Sequence, residues 1–153
     1  MDIILRGGIA GVVGYATCSA VSLILYLLHL LPYTGVHYNI IFFHATETPL
    51  TTLTWATGII AGFVTGAFVG VVIAYLIDRT GYDYSWLKGL GVGIVLWPVH
   101  VAIIPNLFAH RLYSVLPPIM VFACFFFEAI YGIVTGIMVK YLYDGNKIKL
   151  KTH

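Results

Sequence analysis

Residues 55–77 read WATGIIAGFVTGAFVGVVIAYLI, an apolar run without one charged side chain. A helix needs about 20 such residues to cross the hydrocarbon layer of a bilayer, so this stretch alone predicts a membrane span. Within it Gly58, Gly62, Gly66 and Gly70 recur every fourth residue, and Ala74 extends the line. Residues four apart share a helix face, so the run carries a smooth groove. A neighbouring helix can approach such a face closely, whereas lipid tails gain little from it. Homo-oligomer formation through this face is one expectation, because the groove is longer than one partner needs.

Three further runs qualify as spans, at about residues 9–31, 89–109 and 118–139. The whole chain is 60% hydrophobic and 9% charged, against a charged fraction of about 25% in soluble domains. The expected fold class is therefore an all-α integral membrane protein, a four-transmembrane-helix bundle forming a single membrane domain over residues 1–153. Continuous apolar runs argue against a barrel, whose strands alternate over about ten residues. The first run is too long for a signal-peptide core. A net charge of +2 scattered over the span flanks predicts no nucleic-acid surface.

Seven of the eight basic residues flank the spans on one side: Arg6, Arg79, Lys88, Lys140, Lys147, Lys149 and Lys151. Arg111 alone falls on the other. That bias predicts cytoplasmic N and C termini in the cell membrane, with residues 32–54 and 110–117 outside.

The chain also echoes itself. Arg6, Gly7 and Gly11 return 82 residues later as Lys88, Gly89 and Gly93, and Gly66, Gly70 and Asp78 return 66 residues later as Gly132, Gly136 and Asp144. Two diverged helical hairpins account for this pattern. The unequal offsets leave 16 extra residues in the first outer loop. Val36 to His44 lies there, too apolar for a solvated loop and too short to span, which predicts an interfacial or re-entrant segment.

Glu128 is the one charged residue within the four spans. An acidic side chain at mid-span costs about 2.5–3.5 kcal/mol on insertion scales unless it faces a partner or water. Cys124, Glu128, Gly132 and Gly136 are four apart and share a face. Reflecting about the turn near Ser114 places His100 at the depth of Glu128. In the first hairpin their counterparts are Cys18 and Gly62, so this intramembrane polar pair belongs to the second hairpin alone. Pro98 and Pro105 would open the helix on either side of His100. The pair can be read as a hydrogen-bonded strut, as a proton or cation relay, or as an anchor for a lipid or quinone head group.

A second set of candidates lies near the outer interface. His29, His37, His44, Glu47 and His110 are possible metal ligands, and His44 and Glu47 have the i, i+3 spacing of helical ligand pairs. Haem between His29 and His110 is a further alternative, as is a mid-membrane metal site from Cys18, His100, Cys124 and Glu128. No phosphate-binding loop, nucleophile elbow or paired catalytic carboxylates occur in the sequence, so enzymatic activity is not expected.

Gly89, Gly91 and Gly93 leading to Leu96-Trp97, the pair Pro105-Asn106, and Tyr131-Gly132 with Gly136 resemble small four-span bacterial membrane proteins of the YqhR-like type. The resemblance covers roughly the second half of the chain and implies architecture without an activity. The leading functional expectation is a non-catalytic scaffold or accessory subunit of a larger membrane complex. The alternatives are a small proton- or cation-coupled transporter or channel using His100 and Glu128, and a metal- or haem-binding membrane protein.

Overall fold

The structure, a computed structural model, describes residues 1–43, 50–104 and 117–151. It contains α1 (Ile3–Leu27), α2 (Gly35–Phe43), α3 (Thr52–Thr80), α4 (Ser85–Pro98) continuing into a π-helical segment (Val99–Ile103), and α5 (Pro118–Lys151). Among the described residues no strand is found. Among the described residues four helices are long and apolar enough to cross a membrane: Ile3–Leu27, Thr52–Thr80, Ser85–Ile103 and Pro118–Gly145. The chain has the architecture of a multi-pass membrane protein. Large apolar side chains such as Val64, Phe68, Val95 and Phe122 point outward from the bundle, as a lipid surround requires.

The helix ends depart from the apolar boundaries for local reasons. α1 starts at Ile3 rather than residue 9 because the Asp2 carboxylate accepts from the Ile3 N–H at 2.7 Å. It stops at Leu27 rather than 31 because His29 turns left-handed, with φ 58°. There the His29 N–H bonds to the Tyr26 carbonyl and the Leu30 N–H to the Leu25 carbonyl, the two bonds of a Schellman ending. α3 is capped by the Thr51 hydroxyl and closed by Gly81 at φ 91°, a conformation that suits glycine. The Lys88 ammonium then donates to the Thr80 and Gly81 carbonyls at 3.0 and 2.6 Å, satisfying the C-terminal end of α3. α4 starts at Ser85 rather than 89, and α5 runs 34 residues, about 51 Å, far past residue 139. Hydropathy marks where lipid ends, whereas caps and turns decide where helices end. The stretch 105–109 of the expected third span lies outside the described residues.

The helices meet through glycine. A Cβ placed at Gly11 would run into the Gly66 carbonyl and lie 2.9 Å from the Gly70 Cα, and one at Gly7 would lie 2.6 Å from the Val71 Cα. α4 meets α5 in the same way: Gly89 packs on the Gly132 carbonyl and Gly93 on that of Glu128. Such backbone approach is the source of close dispersion contact between apolar helices. The two pairs are not in the same register. Gly11 packs on Gly66, but Gly93 packs one turn away from Gly132, against Glu128.

α2 fills the remainder of the α3 groove. Gly58 faces Val36 and Ile40 of α2, and Gly62 faces the Tyr15 ring of α1 and the Asn39 amide of α2. The groove therefore has no spare length: α1 occupies one half and α2 the other.

At the end of the bundle where α1 begins, Arg6 is buried beneath two tyrosines. Its guanidinium donates to the Tyr82 hydroxyl at 2.6 Å and lies 5.2 Å from the centre of the Tyr143 ring. The rings of Tyr82 and Tyr143 stack at 3.6 Å, and the Tyr82 hydroxyl donates to Asp78 at 2.6 Å.

Candidate functional site

The site begins with a fault in α4. Pro98 has no N–H to give the preceding turn, and its ring crowds the carbonyl four residues back. The helix responds by widening: Val99–Ile103 is π-helical, and the Ile104 N–H reaches back to the Val99 carbonyl. The His100 carbonyl thereby loses its ordinary donor, Ile104. The next residue, Pro105, has no N–H to offer in its place. The Tyr38 hydroxyl of α2 supplies the missing donor at 2.6 Å. A tyrosine phenol is protonated at neutral pH and so is able to donate here.

The widened turn aims the His100 side chain at α5. Its Nδ1 lies 2.5 Å from Glu128 Oε1, a short charge-assisted hydrogen bond. The two side chains keep 24% and 17% of their surface exposed, so they are partnered and still reachable. What they reach is a cavity of about 130 Å³ between α1, α2, α3, α4 and α5. Its walls are mostly apolar, with polar points at Tyr15, Ser19, Tyr38 and Asn39 beside the pair. A volume of this order admits several water molecules or a small organic molecule with few heavy atoms.

α2 is held at the cavity by specific bonds. The Asn39 amide donates to the Tyr15 hydroxyl at 3.1 Å and to the Gly58 carbonyl at 3.3 Å. Both acceptors lie well inside the spans, so α2 is inserted among the helices. On the opposite wall the Tyr131 hydroxyl donates to the Gly66 carbonyl at 2.6 Å, and the Cys18 thiol to the Phe127 carbonyl at 3.4 Å. Trp97 braces α4 against α5 through its indole N–H and the Val121 carbonyl, at 2.9 Å.

The structure thus brings His100 and Glu128 together, and places Cys18 of α1 and Cys124 of α5, neither in a disulfide, in the lining of the same cavity. It does not gather a metal site: among the described residues no group of three or more His, Cys, Asp or Glu side chains could hold an ion. His29 forms the left-handed residue that ends α1. His37 sits apart from it, with Nδ1 facing the Thr34 N–H and hydroxyl and its ring against Tyr26, Tyr33 and Trp55. His44, Glu47 and His110 lie outside the described residues.

Tyr38, Asn39 and Tyr15 are cavity residues that residue type and spacing do not single out. For Tyr38 and Asn39 the one signal in the sequence is the presence of His37-Tyr38-Asn39, three consecutive hydrogen-bonding side chains, inside an otherwise apolar segment. Comparison with protein-family models, with curated proteins and with solved structures gives no match.

Proposed function

We propose that this chain is a small proton-coupled transporter or channel of the cell membrane, with both ends cytoplasmic, and that His100 and Glu128 carry the proton. The observation that supports this most is the placement of the pair at a π-helical break facing a cavity. A strut between α4 and α5 would need neither the break nor the space. Those helices are already joined by backbone contact at Gly89, Gly93, Gly132 and Gly136 and by Trp97. An acidic side chain in a span costs about 3 kcal/mol on insertion scales, which is a reason to expect work from it.

The chemistry needs only the two side chains. His100 Nδ1 and Glu128 Oε1 hold one proton between them, and His100 Nε2 remains as the second exchangeable position. A proton arriving at Nε2 leaves an imidazolium beside a carboxylate. Transfer across the short bond then makes the acid neutral and frees the imidazole. α2, seated on the outer half of the cavity, and Tyr38, bonded to the backbone of the break, are placed to control access.

The scaffold or accessory-subunit reading drew its support from a glycine groove longer than one helix could use. α1 and α2 together fill that groove, so the feature has an explanation within the chain. The pair of diverged hairpins remains a reading of the sequence echoes, supported by glycine contacts in both helix pairs and weakened by the one-turn difference in register.

The test is proton flux into liposomes loaded with a pH-sensitive dye, under an imposed potential. Wild-type protein is expected to acidify the lumen, and Glu128→Gln and His100→Gln to fall to the level of protein-free vesicles while keeping helical content and monodispersity. Absence of flux in the wild type, or unchanged flux in both variants, would overturn the reading.

A further inference from the structure

Between the start of α4 and the flank of α5, at the bundle end that carries Arg6, lies a second and shallower pocket bordered by Ser85, Trp86, Asp83, Lys140, Tyr141 and Asp144. Its charges are unspent. Among the described residues, neither Lys140, Asp83 nor Asp144 makes an ion pair or a side-chain hydrogen bond, although Lys140 and Asp144 are four apart on one helix. Lys88, by contrast, is committed to the end of α3.

The helix start here is equally open. The residue before α4, Tyr84, is left-handed at φ 53° and provides no side-chain cap, so the first N–H groups of a helix 14 residues long carry an uncompensated positive dipole end. Ser85 stands at this start with 3% of its surface exposed, and its hydroxyl has no hydrogen-bond partner among the described residues. Ser85 lines the pocket, so a ligand seated there can bond to its hydroxyl.

A cation, a helix N-terminus and a hydroxyl suit a phosphate. Two carboxylates on the rim would repel a simple anion. They suit an ammonium instead, and a phosphate and an ammonium about two carbons apart are the head group of a phosphoethanolamine lipid. The aromatic rings of Tyr84, Trp86 and Tyr141 are more than 40% exposed around the pocket, as expected at the level of lipid head groups. Ile137, one turn deeper on α5 and 53% exposed, offers apolar surface to an acyl chain.

We infer that this pocket binds the zwitterionic head group of a phosphatidylethanolamine-type lipid. The phosphate meets Ser85, the α4 N-terminus and Lys140, and the ammonium meets Asp83 and Asp144. The three N–H groups of the ammonium serve these carboxylates as donors, which a trimethylated choline cannot do.

Full-length protein, stripped of lipid in mild detergent and offered equal amounts of phosphatidylethanolamine, phosphatidylcholine and phosphatidylglycerol, tests the assignment by native mass spectrometry. Ethanolamine lipid is expected to be retained roughly tenfold over choline lipid, the ratio that one charge-assisted hydrogen bond supplies. Asp144→Asn should reduce the ethanolamine preference and leave glycerol lipid unaffected or improved. Lys140→Gln should weaken retention of all three. Equal retention of the three lipids, preference for glycerol lipid by the wild type, or an ethanolamine preference unchanged in Asp144→Asn overturns the assignment.

Discussion

The hydroxyl of Tyr38 donates to the backbone carbonyl of His100 at 2.6 Å, joining a short inserted helix to the π-helical turn after α4, where this carbonyl has lost its helical donor. The bond links the position of α2 to the state of the π-helical segment, and through it to the His100–Glu128 pair. Tyr38→Phe deletes the hydroxyl and keeps the ring. The His100 carbonyl is then left without a donor in an apolar surrounding, at a cost of about 1–3 kcal/mol. Unfolding in mixed detergent should show that loss, and proton flux should change without loss of the fold. A variant as stable as wild type would mean that the carbonyl finds another donor and that α2 is not coupled to the pair.

Much of this site can be read from residue order, and the part that cannot has a physical reason. Depth and helix face follow from periodicity, which is why reflection about the turn sets His100 beside Glu128, and why two prolines announce a freed carbonyl. The donor to that carbonyl comes from 62 residues away, and the Asn39–Tyr15 bond spans 24. Long-range hydrogen bonds leave no periodic trace. The glycine groove shows the same limit. Its four-residue spacing tells that Gly58 and Gly62 lie on a close-contact face, but whether a second copy or an inserted segment covers them depends on where residues 35–43 pack.

The glycines can be sorted by what an added methyl would meet. Gly93→Ala places a Cβ 2.9 Å from the Glu128 carbonyl carbon, a backbone atom that cannot swing aside. The helices must separate, and overpacking of this kind costs about 1–3 kcal/mol. Since the contact is with Glu128 itself, the His100–Glu128 bond should lengthen and flux should fall as well. Gly91 lies two residues away with nothing within 4 Å of its Cβ position. Gly91→Ala should therefore be neutral or stabilising by up to about 1 kcal/mol, the helix-propensity gain of alanine over glycine. Thermal unfolding of both variants checks the contrast, and equal effects would count against the packing described for α4 and α5.

Acid should loosen α2 through His37. Its Nδ1 receives the Thr34 N–H at 3.2 Å, so the proton of the neutral ring sits on Nε2. Protonating Nδ1 would set two donors against each other. Burial pushes the His37 pKa below its ordinary value, and the neighbours facing it, Tyr26, Tyr33, Thr34 and Trp55, bring no charge to offset this. The sign follows from the direction: the folded state resists the proton that the undocked state accepts. The stability is complete above the ordinary histidine range, about 6.5, and is lost progressively as pH falls below it. Wild type should melt at lower temperature at pH 5 than at pH 7.5, and His37→Phe should show a smaller difference. An equal difference in the two proteins would assign the effect to other groups.

Arg6 sets up the last test, at the opposite end of the bundle. With 7% of its surface exposed, it is held by the Tyr82 hydroxyl, the Met1 carbonyl at 3.3 Å and the face of Tyr143. A lysine could carry the charge, but it lacks the planar fork that stacks and donates at once. Arg6→Lys is therefore expected to cost about 1–2 kcal/mol, the scale of losing the stacked cation–π contact while the ammonium keeps the charge and one donor. Tyr82 adds a pH dependence. Burial first, and then its bond to Asp78, push the Tyr82 phenol up to about 12. An unfolded tyrosine ionises near 10, so Tyr82 supports the fold fully below that pH and the support is lost as pH rises toward about 12. Tyr82→Phe keeps the ring that stacks on Tyr143 but cannot ionise. It should start less stable at neutral pH, because Arg6 and Asp78 lose the hydroxyl between them, and should then decline less between pH 10 and 12. If Tyr82→Phe and wild type decline in parallel over that window, Tyr82 is not the group that titrates there.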